Sequence, residues 1–201
     1  MSEIRSICVY CGSSPGRTPV YLESGRALGR SIGAAGLRLV YGGGTRGIMG
    51  AVASGTMAAG GKVTGIIPRF LMNKEATAHA LSHLDDLIVT EDMHERKHRM
   101  FEESDAFVAL PGGIGTVEEI VEIMTWAQLG RHRKPIVFAN VEGFWNPMLT
   151  LIDHMRAEGF VHTGHLVRPL VVDRAEDVVA AIVEVTANGD RAGDEAVIRR
   201  L

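Results

Sequence analysis

Two short stretches hold the residues best suited to chemistry. DMHERKH, residues 92–98, contains a literal H-E-x-x-H, the spacing that puts two histidines on one helix face to bind zinc, with the glutamate as general base. The same letters set Arg96 and Lys97 side by side on a helix, where an anionic substrate could use them. The second stretch is ALPGGIGTVEEI, residues 109–120. Gly112, Gly113 and Gly115 leave its backbone unobstructed, and Thr116 is expected to open a helix with Val117, Ile120, Val121 and Met124 as its apolar face. The unpaired N–H groups of such a first turn, with the positive end of the helix dipole, form an anion cradle. The Thr116 hydroxyl could cap that helix or bind a phosphate oxygen. Glu118 and Glu119 lie in the same region, where acidic residues ordinarily stabilise the dipole. Glu119, however, falls one turn along from Gly115 and Thr116 and would look into the same pocket. A carboxylate repels phosphate, so it should serve another part of the ligand, such as ribose hydroxyls or an attacking water.

Other patterns carry less. Gly42-x-Gly44-x-x-Gly47 in GGGTRGIMG has the form of a dinucleotide fingerprint, but it follows the second strand-like run, and the next run ends in Pro68-Arg69. An NAD site is therefore disfavoured, and no cofactor is expected. The glycines serve either close turn and helix packing or backbone approach to a ligand. Cys8 and Cys11 form a lone C-x-x-C on a strand, where positions three apart face opposite ways, so buried thiols in a reducing cytoplasm are expected rather than a metal site. Zinc could seek a third ligand in Glu118, 20 residues after His98, but a strand and a glycine turn intervene; no metal is expected. His79 and His83 read as exposed or capping residues, and Met124 and Trp126 as core or dimer contacts more than a base-stacking platform.

The elements that must position these residues alternate along the chain. Apolar, β-branched runs recur at residues 7–11, 37–42, 62–68, 86–90, 106–111, 135–140 and 169–173. Helical spacing fills 21–35, 47–59, 117–129, 147–158 and 175–187. Continuous apolar strands between amphipathic helices predict an α/β fold with a parallel sheet of about seven strands covered on both faces. No linker divides residues 1–201, so a single domain is expected, with a polar, loosely held tail from about 188. In such folds the site lies outside the carboxyl ends of the strands, where CGSSPG, GGGTRGIMG, PRF and PGGIGTVEE fall. A net charge of -3 gives no reason to expect nucleic acid as a partner, and no apolar segment suits a signal peptide or a bilayer. A cytoplasmic protein is expected.

The paired motifs resemble those of the Lonely Guy family, the cytokinin riboside 5'-monophosphate phosphoribohydrolases. PGGIGTVEE is similar to that family's P-G-G-x-G-T-x-x-E, and DMHERK to its M-H-x-R-K. GGGTRGIMG, CGSSPG and TWAQLG (125–130) also look alike, and the resemblance spans residues 4 to 173. It implies a Rossmann-like, doubly wound homodimer that hydrolyses the N-glycosidic bond of a nucleoside 5'-monophosphate, AMP or N6-prenyl-AMP, releasing free base and ribose 5-phosphate. It implies Arg96 and Glu119 as the catalytic pair. Substrate-binding positions implied by it are Lys97, Gly112, Gly113, Ile114, Gly115, Thr116, Val117, Glu118 and Thr125, with Glu75 in the less similar MNKEAT. Members once labelled lysine decarboxylases would need a pyridoxal-phosphate lysine, whereas Lys97 beside Arg96 looks placed for an anion. Arg96 stays charged and cannot be an ordinary proton donor, so it should orient the phosphoribosyl group or fix Glu119. The rival expectation is a nucleotide or cofactor carrier without hydrolytic activity, as in related molybdenum-cofactor carriers; such a carrier has no evident need of Glu119 and Arg96.

Overall fold

The computed structural model describes residues 4–72, 81–161 and 169–198, with side chains as far as residue 188. The run SICVY is buried at every position, as a strand covered on both faces must be, and forms the central strand β1 (Ser6–Tyr10). It is followed by α1 (Pro19–Ala34), β2 (Arg38–Tyr41), α2 (Gly47–Ala58), β3 (Val63–Pro68) and β4 (Asp86–Thr90). The second half runs α3 (Met93–Glu102), β5 (Ala106–Ala109), α4 (Ile114–Gln128), β6 (Ile136–Ala139), α5 (Asn146–Ala157), β7 (Leu170–Val172) and α6 (Val178–Ile198). The seven strands are all parallel, in the order β4-β3-β2-β1-β5-β6-β7. This is the doubly wound sheet expected from the alternation of runs. The segment read as a polar tail instead continues α6 as far as Ile198.

Side chains of β1 alternate between two apolar layers. Ile7, Val9 and Cys11 join Leu28 and Ile32 of α1, Val52 of α2 and Ile182 of α6. Cys8 and Tyr10 join Met100 of α3, Ile120 and Ile123 of α4, and Phe107 of β5. Burying each such side chain contributes about 1.5–3 kcal/mol. The two thiols therefore lie in opposite layers, both free and buried. Burial pushes the Cys8 thiol up to about 12 and raises Cys11 as well, so both stay protonated near neutrality.

Register at the centre of the sheet is pinned before β5 begins. The Asp105 carboxylate accepts hydrogen bonds from Arg5 N (2.9 Å), Ser6 N (3.0 Å) and Ser6 Oγ (3.0 Å). Cys8 then pairs with Val40 of β2 on one side and Phe107 of β5 on the other. The winding reverses between β1 and β5, so the turns that follow them separate and leave a crevice at the carboxyl edge. No described helix is long and apolar enough to cross a membrane.

Candidate active site

Helix α3 explains what the letters of H-E-x-x-H do here. Asp92 is its N-cap, with Oδ1 accepting from Glu95 N at 2.9 Å, while Glu95 Oε2 accepts from Glu91 N at 2.9 Å. These two bonds around the N-cap occupy the glutamate that a zinc protease would use as its base. His94 and His98 are exposed, and His98 Nε2 lies 3.2 Å from Glu102 Oε1 on the outer surface. Among the described residues no group of three His, Cys, Asp or Glu is placed to hold a metal ion. Helical period turns Arg96 and Met100 inward instead, and both are buried.

Burying a guanidinium is costly unless its donors find partners, and two of its nitrogens do so here. Arg96 Nε donates to Ile66 O of β3 at 3.2 Å, and Nη1 donates to Glu119 Oε1 at 2.8 Å. The two side chains of this pair are only 5% and 7% exposed. Glu119 reaches it from the inward face of α4, which also carries Thr116, Ile120 and Ile123. One residue along, Lys97 Nζ donates to Glu118 Oε1 at 2.6 Å and to Glu122 Oε1 at 3.2 Å. Burial alone would lower the Lys97 pKa, but its hydrogen bonds to the two carboxylates, with their charges, outweigh it and the net shift is upward. Helices α3 and α4 are thus joined by ion pairs at consecutive positions. Lys97, expected to await an anion, is occupied by two acids.

Beside the Arg96–Glu119 pair lies a cavity of about 280 Å³. One part of its wall is Gly113, Gly115, Thr116 and Glu118, from the start of α4. That helix begins at Ile114, two residues earlier than expected, with Gly113 as N-cap and no side-chain cap. Thr116 therefore does not open the helix; its hydroxyl packs against Gly112. The first-turn N–H groups have no carbonyl one turn back to bond to, and a Cβ added at Gly113 or Gly115 would meet nothing within 4 Å. The glycine-rich turn after β5 therefore presents open backbone to the cavity.

The glycine loop after β2 differs. A Cβ at Gly44 would meet Met49 Sδ at 2.7 Å, one at Gly47 the Ser13 backbone, and one at Gly50 Thr45 O. Gly43 and Gly47 also adopt positive φ, at 74° and 57°. Of the two readings the sequence left open, close packing prevails over approach to a ligand.

Six of the expected residues, Arg96, Gly113, Gly115, Thr116, Glu118 and Glu119, line the cavity. Lys97, Gly112 and Val117 are not among the lining residues, and Val117 packs against the core. Ile114 is 87% exposed, and Thr125 is exposed with Oγ1 donating to Val121 O at 2.8 Å. Glu75 and His79 lie outside the described residues; His83 is exposed. Met124 and Trp126 pack against the core, Trp126 edge-on to Phe101 with centroids 4.9 Å apart. The remaining wall is Cys11, expected only as a buried thiol, with Gly12 and Ser13 after β1 and the apolar Met49, Leu71 and Met93, none of which was singled out residue by residue. Their shared signal is position, since each follows the carboxyl end of a strand.

Comparison with known proteins agrees with this geometry. Residues 49–182 match a family model described as possible lysine decarboxylase. A cytokinin riboside 5'-monophosphate phosphoribohydrolase of Arabidopsis thaliana is 42% identical over 185 residues, covering 91% of this chain and 83% of the relative. The enzyme of that name from Rhodococcoides fascians is 43% identical over 179 residues, covering 89% of each. Among solved structures, a molybdenum cofactor binding protein from Rippkaea orientalis superposes with a TM-score of 0.67 at 20% identity, over 92% of this chain and 99% of that one, and shares the fold. With the family model matched over most of the chain, and enzymes of one name matched nearly end to end, the chain belongs to the Lonely Guy family of cytokinin riboside 5'-monophosphate phosphoribohydrolases.

Proposed function

We propose that this protein hydrolyses the N-glycosidic bond of nucleoside 5'-monophosphates, with AMP or an N6-prenyl-AMP as substrate, releasing free base and ribose 5-phosphate. The observation that carries the reading is the buried Arg96–Glu119 pair on the wall of a cavity that also holds an open, glycine-rich helix start. The phosphate takes the first turn of α4, where Gly113 and Gly115 leave room and the dipole favours an anion. As the C1′–N bond breaks, positive oxocarbenium-like charge builds on the ribose, which the Glu119 carboxylate stabilises while directing water to C1′. Water supplies both the hydroxyl that ends on C1′ and the proton that ends on the base. Arg96, always charged, orients Glu119 and is not the acid. Met49, Leu71 and Met93 offer the apolar wall that a prenylated adenine needs.

Incubation with AMP and with isopentenyladenosine monophosphate, followed by chromatography, should show released base. Glu119→Gln should slow that release by about 10²–10³-fold, as loss of one transition-state contact does. If base never appears, and Glu119→Ala binds nucleotide as tightly as wild type, the protein is a carrier. Family membership also supports a cytoplasmic homodimer, for which the buried free thiols suit a reducing compartment; sedimentation velocity giving a monomer at assay concentration would refute the dimer.

A further inference from the structure

We infer that Gly42 is a positioning residue: its missing side chain is the seat of the Arg96 guanidinium. The inference rests on the proposed role of the Arg96–Glu119 pair. Gly42 is buried just beyond β2, and a Cβ built there would fall on Arg96 Nη2, with Cζ at 3.3 Å and Met49 Cε at 3.6 Å. Its neighbour Gly43 has φ +74°, but Gly42 is not among the residues with positive φ. Backbone conformation therefore does not demand glycine at 42; space does. Of the loop glycines at 42, 43, 44, 47 and 50, Gly42 alone would meet Arg96, the others facing Ile67, Met49, Ser13 and Thr45.

Neither side of this contact yields easily, except at one point. Gly42 follows Tyr41, which is held in register between Val9 of β1 and Gly65 of β3. Arg96 is held at Nε by Ile66 O, and its helix is fixed by the Asp92–Glu95 cap and by the fully buried Met100. What can move is the far end of the guanidinium, and that end carries the bond to Glu119. A methyl at position 42 should therefore leave the fold intact and displace the pair.

The test compares wild type, Gly42→Ala, Arg96→Lys and the double variant. In the wild-type background Gly42→Ala should lower kcat by on the order of 100-fold, the scale of a 1 Å misplacement, with KM for AMP little changed. Its melting temperature should stay within about 4 °C of wild type. With Arg96→Lys present, Gly42→Ala should cost less than about twofold, because an ammonium has no Nη2 for the methyl to displace. Equal losses in both backgrounds, or an unchanged kcat in Gly42→Ala, overturn the inference. A crystal structure of Gly42→Ala decides it without activity. Separation of Arg96 Nη1 from Glu119 Oε1 supports it, and the pair intact at 2.8 Å overturns it. If wild type releases no base, the hydrolase reading falls while that crystallographic arm still stands. Should Gly42→Ala not fold, Gly42→Ala/Arg96→Met/Glu119→Leu must fold, since the clashing atoms are gone and no charge is left stranded; failure of both also overturns the proposal.

Discussion

Removing either member of the Arg96–Glu119 pair strands a charge in a buried site, at a cost of about 3–5 kcal/mol. An apolar pair of similar volume restores packing without the charges. Glu119→Ala should therefore lower the urea midpoint sharply, and Arg96→Met/Glu119→Leu should regain most of that loss while releasing no base. A double variant as unstable as the single one would mean that the pair is structural, and one that turned over substrate would remove both residues from the chemistry. Type and motif position were enough to nominate Arg96 and Glu119. Their hydrogen bond was not legible, because it joins residues 23 apart on two helices and depends on both inward faces meeting. Lys97 shows the limit of reading by type, since a lysine suited to an anion is equally suited to the carboxylates of Glu118 and Glu122. Gly42 shows it again, because the reason for that glycine lies in a side chain 54 positions away.

At the scale of elements, the five inner apolar runs became strands because strands buried on both faces have no polar alternation to disguise them, while the edge strands β4 and β7 are only partly buried. The start of α4 was misplaced by two residues because Ile114 and Gly115 are poor helix markers, while Thr116 resembles a cap. The link from α4 into β6 contains a pH-sensitive joint. The Lys134 backbone N–H donates to His132 Nδ1 at 3.2 Å, so Nε2 carries the proton and donates to Ile123 O at 2.9 Å. This arrangement needs the neutral ring. Burial, and then the charge of Lys134, lower the His132 pKa below its ordinary 6.5. Below pH 6.5 the unfolded chain binds a proton that the folded one refuses, so stability should fall as pH drops. Above that pH both states are neutral and the effect vanishes. Urea unfolding between about pH 6.5 and about pH 5 should show this acid slope, and His132→Gln should flatten it. An unchanged slope would assign the acid sensitivity to other groups.

For the whole molecule, the segments that follow β1, β2, β3, β4 and β5 all contribute to one cavity. The general position of the site was legible from that rule of α/β folds. Its apolar wall was not, because Met49, Leu71 and Met93 come from segments after three different strands, and no local pattern ties them together. The clamping of both cations also bears on how a nucleotide arrives. Arg96 and Lys97 already share three carboxylates, Glu119, Glu118 and Glu122, and the whole chain carries -3. Neither of these two cations is left without an acid to gather phosphate. Substrate capture should therefore be unsteered, with kcat/KM for AMP changing by less than about twofold between about 50 and about 200 mM salt. A steep decline would mean that the cations leave their acids when substrate approaches. A mouth without electrostatic pull gives no advantage to the more highly charged di- and triphosphates, so discrimination among nucleotides falls to shape and to the length of the phosphate chain.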